Sequence, residues 1–339
     1  MVCAGALIGS SISRRWYGSS NKRNQEILSY AGASGALTAS MGIPIAGSLF
    51  ALEMTRPNAG LSLASGKALQ PSIISSIAAL ALVRGLLIPS KTIGGHFEYG
   101  PVGALSGREM ILTSISMGIG GAVLGTVFHK VVHTLKKLFW PKTSSSTSTR
   151  RWKYNNILVK AIVGLIVGLL GTYYPQTLFW GEGSLQTAID GHKTAFASTR
   201  HGLSNVLTSA AKVNPSVPFE SPIAAAQVGI IKLLSITLAC AGKFPGGIIF
   251  PLFFAGAPFA HACSRFIGPN LMPVAVFCLM AATQASATRT PLATVFILSL
   301  LASSTTELSL IIPAGLISSY LGVFVSRQLS RYSYFSYNE

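Results

Sequence analysis

The chain has 339 residues, of which 50% are hydrophobic and only 10% are charged, and its mean hydropathy is +0.52. Since a soluble domain usually carries about a quarter charged residues, this composition excludes an ordinary soluble protein and predicts a membrane protein with several helices. The formal net charge of +17 does not indicate nucleic-acid binding, because the basic residues lie in short clusters between apolar runs.

Apolar segments recur along the whole chain. They span Val2–Ile12, Ile27–Met54, Leu69–Ile88, Met110–Val132, Ile157–Tyr173, Ile223–Ala241, Ile248–Cys263, Leu271–Ser286, Leu292–Ser303 and Leu308–Val325. Many are shorter than the ~20 residues that a straight spanning helix needs. Short segments interrupted by Gly or Pro are typical of broken or re-entrant helices, which line wet cavities or are buried in protein. The pattern therefore predicts an all-α, polytopic membrane protein of the channel or transporter class.

The start of the chain is similar to a later part of it. The segment GALIGSSISRR (5–15) aligns with GAPFAHACSRF (256–266), and PIAGSLFAL (44–52) aligns with PLATVFILS (291–299) at nearly the same offset. A weak internal repeat in an apolar chain is typical of transporters built from inverted repeats, whose binding site lies between the repeats. The alternative is that similar small-residue composition produces part of the match.

The middle of the chain carries a basic run with no acidic residue in it. Its members are Lys130, Lys136, Lys137, Lys142, Arg150, Arg151 and Lys153. The positive-inside rule places such a run on the cytoplasmic side of a membrane or its organellar equivalent. Residues 140–154 form a polar, low-complexity linker, which separates residues 1–139 from residues 155–326 and the tail, residues 327–339.

Two glycine pairs, Gly121 with Gly125 and Gly164 with Gly168, have the spacing of close helix packing. The four cysteines are Cys3, Cys240, Cys263 and Cys278. Their spacing matches neither a metal site nor a disulfide framework, so we expect neither. His261 has no second ligand nearby at metal spacing, and we expect it to be a packed core or interface histidine.

The segment GKFPGGIIFP (242–251) interrupts a strongly apolar stretch with prolines and glycines. The first backbone N–H groups of the helix that follows have no partner inside that helix. Together with the positive end of the helix dipole, they form an anion site that needs no fully charged side chain. Such a site also holds an ion weakly enough for conduction. The alternative is a proline-kinked packing helix.

The segment PGGIIFPLFFAGA resembles a conserved segment of the CLC family of chloride channels and chloride/proton exchangers. The family pattern G-x-F-x-P falls here on Gly247, Ile248, Ile249, Phe250 and Pro251. Phe is usual at the place of Ile249, but that position is thought to bind chloride through its backbone amide. The segments ASMGIPIAGSLFALEM, IIKLLSITLA, GEGSLQTAI and ATRTPLATVFILSL resemble further family segments in the same order.

This resemblance implies a CLC-type inverted repeat, with the end of the first repeat and the start of the second in residues 1–139. It also implies a homodimer in which each subunit has its own pore. In the family, the half-helix opened by G-x-F-x-P points at the bound chloride, so the backbone of Gly247–Phe250 is the expected binding stretch. An inner tyrosine is expected just past the last membrane helix, and Tyr334 is favoured over Tyr332 and Tyr337. The alternative for each is an interfacial aromatic residue.

The chain departs from the family pattern in two respects. The motifs G-S-G-I-P and G-[KR]-E-G-P, which supply a chloride-contacting serine and a gating glutamate, do not occur, so we expect the chain to begin inside the gating half-helix. Exchangers generally carry two successive acidic residues where this chain has Glu53 and Met54. Met54 stands at the internal proton position, and a thioether carries no proton there. Glu53 is expected to be a paired structural carboxylate, with Arg56 as a candidate partner.

Two further charges, Lys232 and Arg289, lie in apolar segments. Either they attract anions along the permeation path, or they snorkel to the interface or pair with a carboxylate such as Glu307.

The sequence thus favours an integral membrane, CLC-type anion channel that transports chloride passively, without proton coupling, cofactor or metal. The alternatives are an anion/proton exchanger with another proton route, and a non-conducting truncated subunit that pairs with full-length relatives. A membrane enzyme is not expected, because the sequence has no G-x-S-x-G, H-E-x-x-H or phosphate-binding loop. The short tail predicts that the soluble regulatory CBS domains of eukaryotic relatives are absent.

Overall fold

The computed structural model describes residues 2–18, 21–43, 45–54, 64–83, 85, 97–103, 106–140, 149–174, 177, 182–191, 219, 221–302, 307–330 and 334. The regular structure in these residues is helical, apart from one isolated bridge between Phe97 and Ala302. The predicted all-α class is confirmed. The helices are α1 (Val2–Tyr17), α2 (Lys22–Met41), α3 (Ala46–Met54), α4 (Ala64–Leu82), α5 (Gly107–Phe139), α6 (Thr149–Tyr173), α7 (Glu182–Asp190), α8 (Pro222–Ala241), α9 (Ile249–Ala262), α10 (Met272–Thr288), α11 (Pro291–Leu301) and α12 (Leu308–Leu329).

The helices of this architecture differ widely in length. Within the described residues, five helices are long and apolar enough to cross a membrane: α5, α6, α8, α10 and α12. By contrast, α9 has 14 residues, α11 has 11 and α3 has 9. At 1.5 Å per residue, α9 extends about 21 Å, which is less than the ~30 Å hydrocarbon core of a bilayer. The chain therefore combines spanning helices with half-helices, as the interrupted apolar segments predict.

One predicted apolar segment, Ile27–Met54, is two helices in the structure. α2 ends at Met41 because Gly42 adopts a left-handed conformation (φ 71°), and its N–H donates to the carbonyl of Thr38 at 2.8 Å. Glycine ends helices in this way because it has no Cβ to clash. Ile45 also has a positive φ, 58°, before α3 begins. The break separates α3 from α2 and lets it turn toward the second half of the chain.

Helices α5 and α6 are longer than the apolar segments Met110–Val132 and Ile157–Tyr173 from which they are predicted. α5 begins at Gly107 with a capping box between Ser106 and Glu109, and its last turn carries Lys136 and Lys137, which suit the negative end of the helix dipole. α6 begins at Thr149, so residues 149–154 of the predicted linker are helical. This stretch contains no Gly or Pro, so a polar sequence continues the helix past its apolar part.

α10 lies at the centre of the bundle. Every residue from Val274 to Thr288 is buried, and the helix packs against α5, α9, α11 and α12. Hydroxyl groups join these helices: Ser286 Oγ donates to the carbonyl of Gly121 at 2.8 Å, and Ser318 Oγ donates to that of Cys278 at 3.1 Å. Such interhelical hydrogen bonds and small-residue contacts hold helices together where lipid provides no hydrophobic driving force.

The C-terminal ends of α5, α8, α10 and α12 lie together. Trp140 Nε1 donates to the carbonyl of Ala241 at 2.9 Å, and an Arg289 Nη donates to the carbonyl of Ser330 at 3.1 Å. The basic residues at this end are Lys136, Lys137, Lys243, Arg289 and Arg327. We refer to it as the basic end.

Candidate anion-binding site

The candidate site begins where α9 starts. Its N-cap residue is Ile248, and no side chain of the described residues caps the helix. The helical hydrogen-bond ladder starts with the N–H of Leu252, which donates to the carbonyl of Ile248 at 3.1 Å, because Pro251 has no N–H. The amides of residues 248–250 therefore precede the ladder at the positive end of the helix dipole. This is the arrangement that favours an anion.

The loop before α9 leads from the surface into the protein. Lys243–Gly247 are exposed, whereas Ile248 and Ile249 are 8% and 7% exposed. A Cβ added to Gly247 would meet no atom of the described residues within 4 Å, so none of these residues crowds the backbone here. Since α9 is only a half-helix, its N-terminus lies within the thickness of the membrane when its C-terminus reaches the opposite surface. A short open stretch of backbone thus connects the basic end with buried amides.

Tyr334 closes the other side of this region. Its ring stacks on that of Phe128 with a centroid distance of 5.7 Å and an interplanar angle of 24°. Its N–H donates to the carbonyl of Ala287 at 3.1 Å, and its hydroxyl donates to Cys240 Sγ at 3.5 Å. Sulfur is a weak acceptor of hydrogen bonds. Three helices, α5, α8 and α10, therefore fix the ring in place.

One apolar cluster unites the two predicted parts of the site. Its buried members are Phe128, Val132, Leu233, Ile236, Ile248, Leu252, Ala255 and Ala287, and Tyr334 packs against it. The structure therefore brings the start of α9 and Tyr334 together, although 86 positions (334 − 248) separate Ile248 from Tyr334. Tyr332 and Tyr337 lie outside the described residues. Sequence reasoning missed Phe128 and Cys240, since nothing in their local pattern signals contact with the tail.

Glu53 and Met54 end α3. The carboxylate of Glu53 is 2% exposed and accepts hydrogen bonds from the N–H of Leu292 at 3.2 Å and of Ala293 at 2.8 Å. These are the first amides of α11, which has no side-chain cap of its own. Glu53 is thus satisfied by a helix N-terminus, and Arg56 lies outside the described residues. Met54 is the last residue of α3, but its side chain lies outside what the structure describes.

Lys232 is buried inside the protein, with 2% of its surface exposed. Its ammonium donates to the carbonyl of Thr177 at 2.9 Å and lies 4.9 Å from the ring centroid of Phe254. Snorkelling to the interface is therefore wrong for this residue. A backbone carbonyl and an aromatic ring thus both contact the charged group.

Arg289 and His261 also have identifiable partners. Arg289 lies at the end of α10 beside Ser330, whereas Glu307 precedes α12 at its other end, about 33 Å away along the helix. Pairing of Arg289 with Glu307 is therefore wrong. His261 Nε2 donates to the carbonyl of Ile189 at 2.9 Å, and its ring packs near Phe219, as expected for a packed histidine. Among the described residues, no group of three or more His, Cys, Asp or Glu side chains is placed to hold a metal ion.

Comparisons with known proteins agree with this architecture. A family model described as voltage gated chloride channel matches residues 1–332. The chain is similar to the crystal structure of a slow cyanobacterial Cl⁻/H⁺ antiporter, with a TM-score of 0.64 and 19% identity over 99% of this chain and 68% of that one. A CLC-type fluoride/proton antiporter gives the same TM-score and identity over 99% and 70%. The comparison with curated protein sequences gave no match. At this level of identity, the two structures establish the fold.

Proposed function

The chain belongs to the voltage gated chloride channel (CLC) family, and on that premise we propose that it carries chloride or another small anion passively across a membrane. The observation that carries this proposal is the start of α9. No side chain in the described part of the chain caps this helix, and Tyr334 packs against the apolar cluster that contains Ile248. In the homodimer that the family resemblance implies, each subunit has its own pathway.

The proposed mechanism relies on dipoles rather than on a fixed charge in the pathway. The amides of Ile248, Ile249 and Phe250, reached over Gly247, replace part of the hydration shell of the anion. The Tyr334 hydroxyl turns from the Cys240 thiol and donates to the anion from the inner side. Dipolar ligands bind an anion less tightly than a buried cationic side chain does, so the ion can leave again.

The identity of Met54 supports movement without proton coupling. It directly follows Glu53 at the end of α3, where the family's exchangers carry a second acidic residue. A thioether cannot carry a proton, and the Glu53 carboxylate is engaged by α11.

A second candidate function is anion/proton exchange by another proton route. It is supported by the two similar solved structures, which are described as a Cl⁻/H⁺ antiporter and a fluoride/proton antiporter.

Flux measurements distinguish these functions. The full chain is reconstituted into chloride-loaded vesicles, and chloride and pH are recorded together after valinomycin is added to dissipate the membrane voltage. A passive pathway releases chloride with no proton movement that depends on chloride. Proton uptake against a pH gradient as chloride leaves would establish exchange instead. Absence of chloride release would indicate that the chain is a non-conducting subunit.

A tyrosine variant tests the proposed site within the same assay. Tyr334→Phe removes one donor to a charged acceptor, and we expect about tenfold weaker anion binding, seen as a higher chloride concentration at half-maximal flux. The ring contact with Phe128 and the backbone bond to Ala287 remain, so the thermal unfolding midpoint stays unchanged. Tyr173→Phe is the matched control, because Tyr173 is 80% exposed on α6. Equal flux curves for the two variants would exclude Tyr334 from the site.

A further inference from the structure

Two lysines at the basic end are held against aromatic rings beside the candidate site. The Lys136 ammonium lies 5.3 Å from the ring centroid of Tyr334, and the Lys243 ammonium lies 4.2 Å from the ring centroid of Trp140. Lys136 is half-buried and Lys243 is exposed. Lys243 belongs to the loop that leads to α9. The two charges therefore lie on the approach to the amides of α9.

Local geometry explains why the two pairs occur together. Lys136 and Trp140 are one turn apart at the end of α5, so their side chains lie on the same face of the helix. The indole of Trp140 donates to the carbonyl of Ala241, which precedes the loop that carries Lys243. Lys243 itself has a positive φ of 58°. The end of α5, the end of α8 and the loop are thus joined at one place.

Acidic residues are rare in the segments that surround these lysines. Residues 110–181 and 221–306, which supply α8, α9, α10 and all of α5 beyond its first turn, contain no Asp or Glu. A carboxylate partner would fix an ammonium but would also neutralise its field. An aromatic ring attracts the cation through its quadrupole and adds no net negative charge. Each lysine is therefore positioned while its positive field remains available to a passing anion.

We propose that Lys136 and Lys243 form a cationic mouth that concentrates small anions at the start of the α9 pathway, with Tyr334 and Trp140 as the rings that hold them. This inference rests on the proposed function. The lysines are not ligands of the bound anion: they are positioning and attracting residues at the entrance. Because both ammoniums remain in contact with water, the attraction is screened and the anion is not trapped.

The inference is tested with Lys136→Gln and Lys243→Gln in the vesicle assay, with initial chloride flux measured at constant chloride and varied ionic strength set by an impermeant salt. Each substitution is expected to reduce flux about threefold at low ionic strength, the effect of one unit charge roughly 7 Å away in water. The difference is expected to disappear at high ionic strength, because the screening length falls from about 30 Å at 0.01 M salt to about 3 Å at 1 M. Lys136→Arg retains the charge and the ring contact and is expected to retain the flux.

Lys137→Gln is the matched control, since it removes the same charge from the neighbouring, exposed residue. We expect it to change flux much less than Lys136→Gln does. Equal losses of chloride flux for Lys136→Gln and Lys137→Gln would show that any surface charge has the same effect, and this would overturn the inference. A loss that persists at high ionic strength would show a structural role only and overturn it as well. In either case, the proposed function would remain supported if the unmodified chain carries chloride and Tyr334→Phe weakens that flux. Absence of chloride flux in the unmodified chain would overturn both the inference and the proposed function.

Discussion

Glu53 shows how a single buried charge is stabilised in this protein. It ends α3, and its carboxylate accepts two backbone hydrogen bonds from the first turn of α11. The positive end of a helix dipole favours a carboxylate in this position, and the carboxylate in turn satisfies amides that would otherwise be buried without acceptors. These two hydrogen bonds join residues that are 239 and 240 positions apart in the chain. Glu53 links the first half of the chain to the second through these two backbone hydrogen bonds.

Removal of this carboxylate is expected to destabilise the fold. Glu53→Ala leaves two buried N–H groups without their acceptor, which costs about 1–3 kcal/mol of unfolding free energy. Glu53→Gln keeps one acceptor oxygen and is expected to lose less. Thermal unfolding in detergent measures both, with Glu98→Ala as control because the Glu98 side chain is exposed. An unchanged midpoint for Glu53→Ala would contradict this role.

The helices show that the same glycine spacing has different consequences in different places. On α5, a Cβ added to Gly121 would lie 2.7 Å from the carbonyl carbon of Ala282, and one added to Gly125 would lie 2.9 Å from the N of Ala287. On α6, a Cβ on Gly164 would lie 3.6 Å from Phe244, and one on Gly168 would meet no described atom within 4 Å. The predicted close packing is confirmed for the α5 pair only.

A pair of alanine substitutions tests this difference between elements. Gly121→Ala forces α5 away from the backbone of α10, and we expect a loss of about 1–3 kcal/mol in unfolding free energy. Gly168→Ala has the same chemistry but no neighbour to displace, so its unfolding midpoint should equal or slightly exceed that of the unmodified chain. The measurement is thermal unfolding in detergent. Equal destabilisation by both substitutions would contradict the role of the contact between α5 and α10, because the gain in helix propensity is the same for both.

At the scale of the whole molecule, charge is distributed unevenly between the two ends of the bundle. The basic end carries the lysines and arginines at the C-termini of α5, α8, α10 and α12. Residues 97–103 lie at the opposite end, since the ring of Tyr99 meets that of Phe277 at 5.1 Å near the start of α10 and Gly103 adjoins Asn270. This segment carries Glu98. The positive-inside rule therefore predicts that the basic end faces the cytoplasm.

Cysteine labelling tests this orientation. Lys137→Cys and Glu98→Cys are each introduced into the chain with the exposed Cys3 replaced by Ser, and a membrane-impermeant thiol reagent is applied from one side at a time. Lys137→Cys is expected to react only from the cytoplasmic side and Glu98→Cys only from the other side. The unsubstituted background chain controls for the remaining native cysteines. Reaction of both variants from the same side would contradict the arrangement of the two ends.

The sequence by itself determined the properties that depend on composition and local pattern. Low charge and high hydropathy predicted a membrane protein, short interrupted segments predicted half-helices, and the turn before Ile248 predicted the start of α9. These features are local, because backbone hydrogen bonding and partition into lipid depend on residues close together in the chain. The family resemblance likewise rests on short segments read in order, and the match over residues 1–332 confirms it.

Only the tertiary structure decided which distant groups meet. In the structure, the segment Ile27–Met54 is divided at Gly42, and the ring of Tyr334 stacks on that of Phe128. The carboxylate of Glu53 accepts hydrogen bonds from the amides of α11, and Lys232 contacts Thr177 and Phe254. The break at Gly42 is local, but each of the contacts joins residues more than 20 positions apart. Many other apolar partners would be compatible with the same hydropathy pattern. Packing selects one of them through shape and through the requirement that every buried polar group find a partner. That requirement belongs to the assembled fold, so no single segment reveals its outcome.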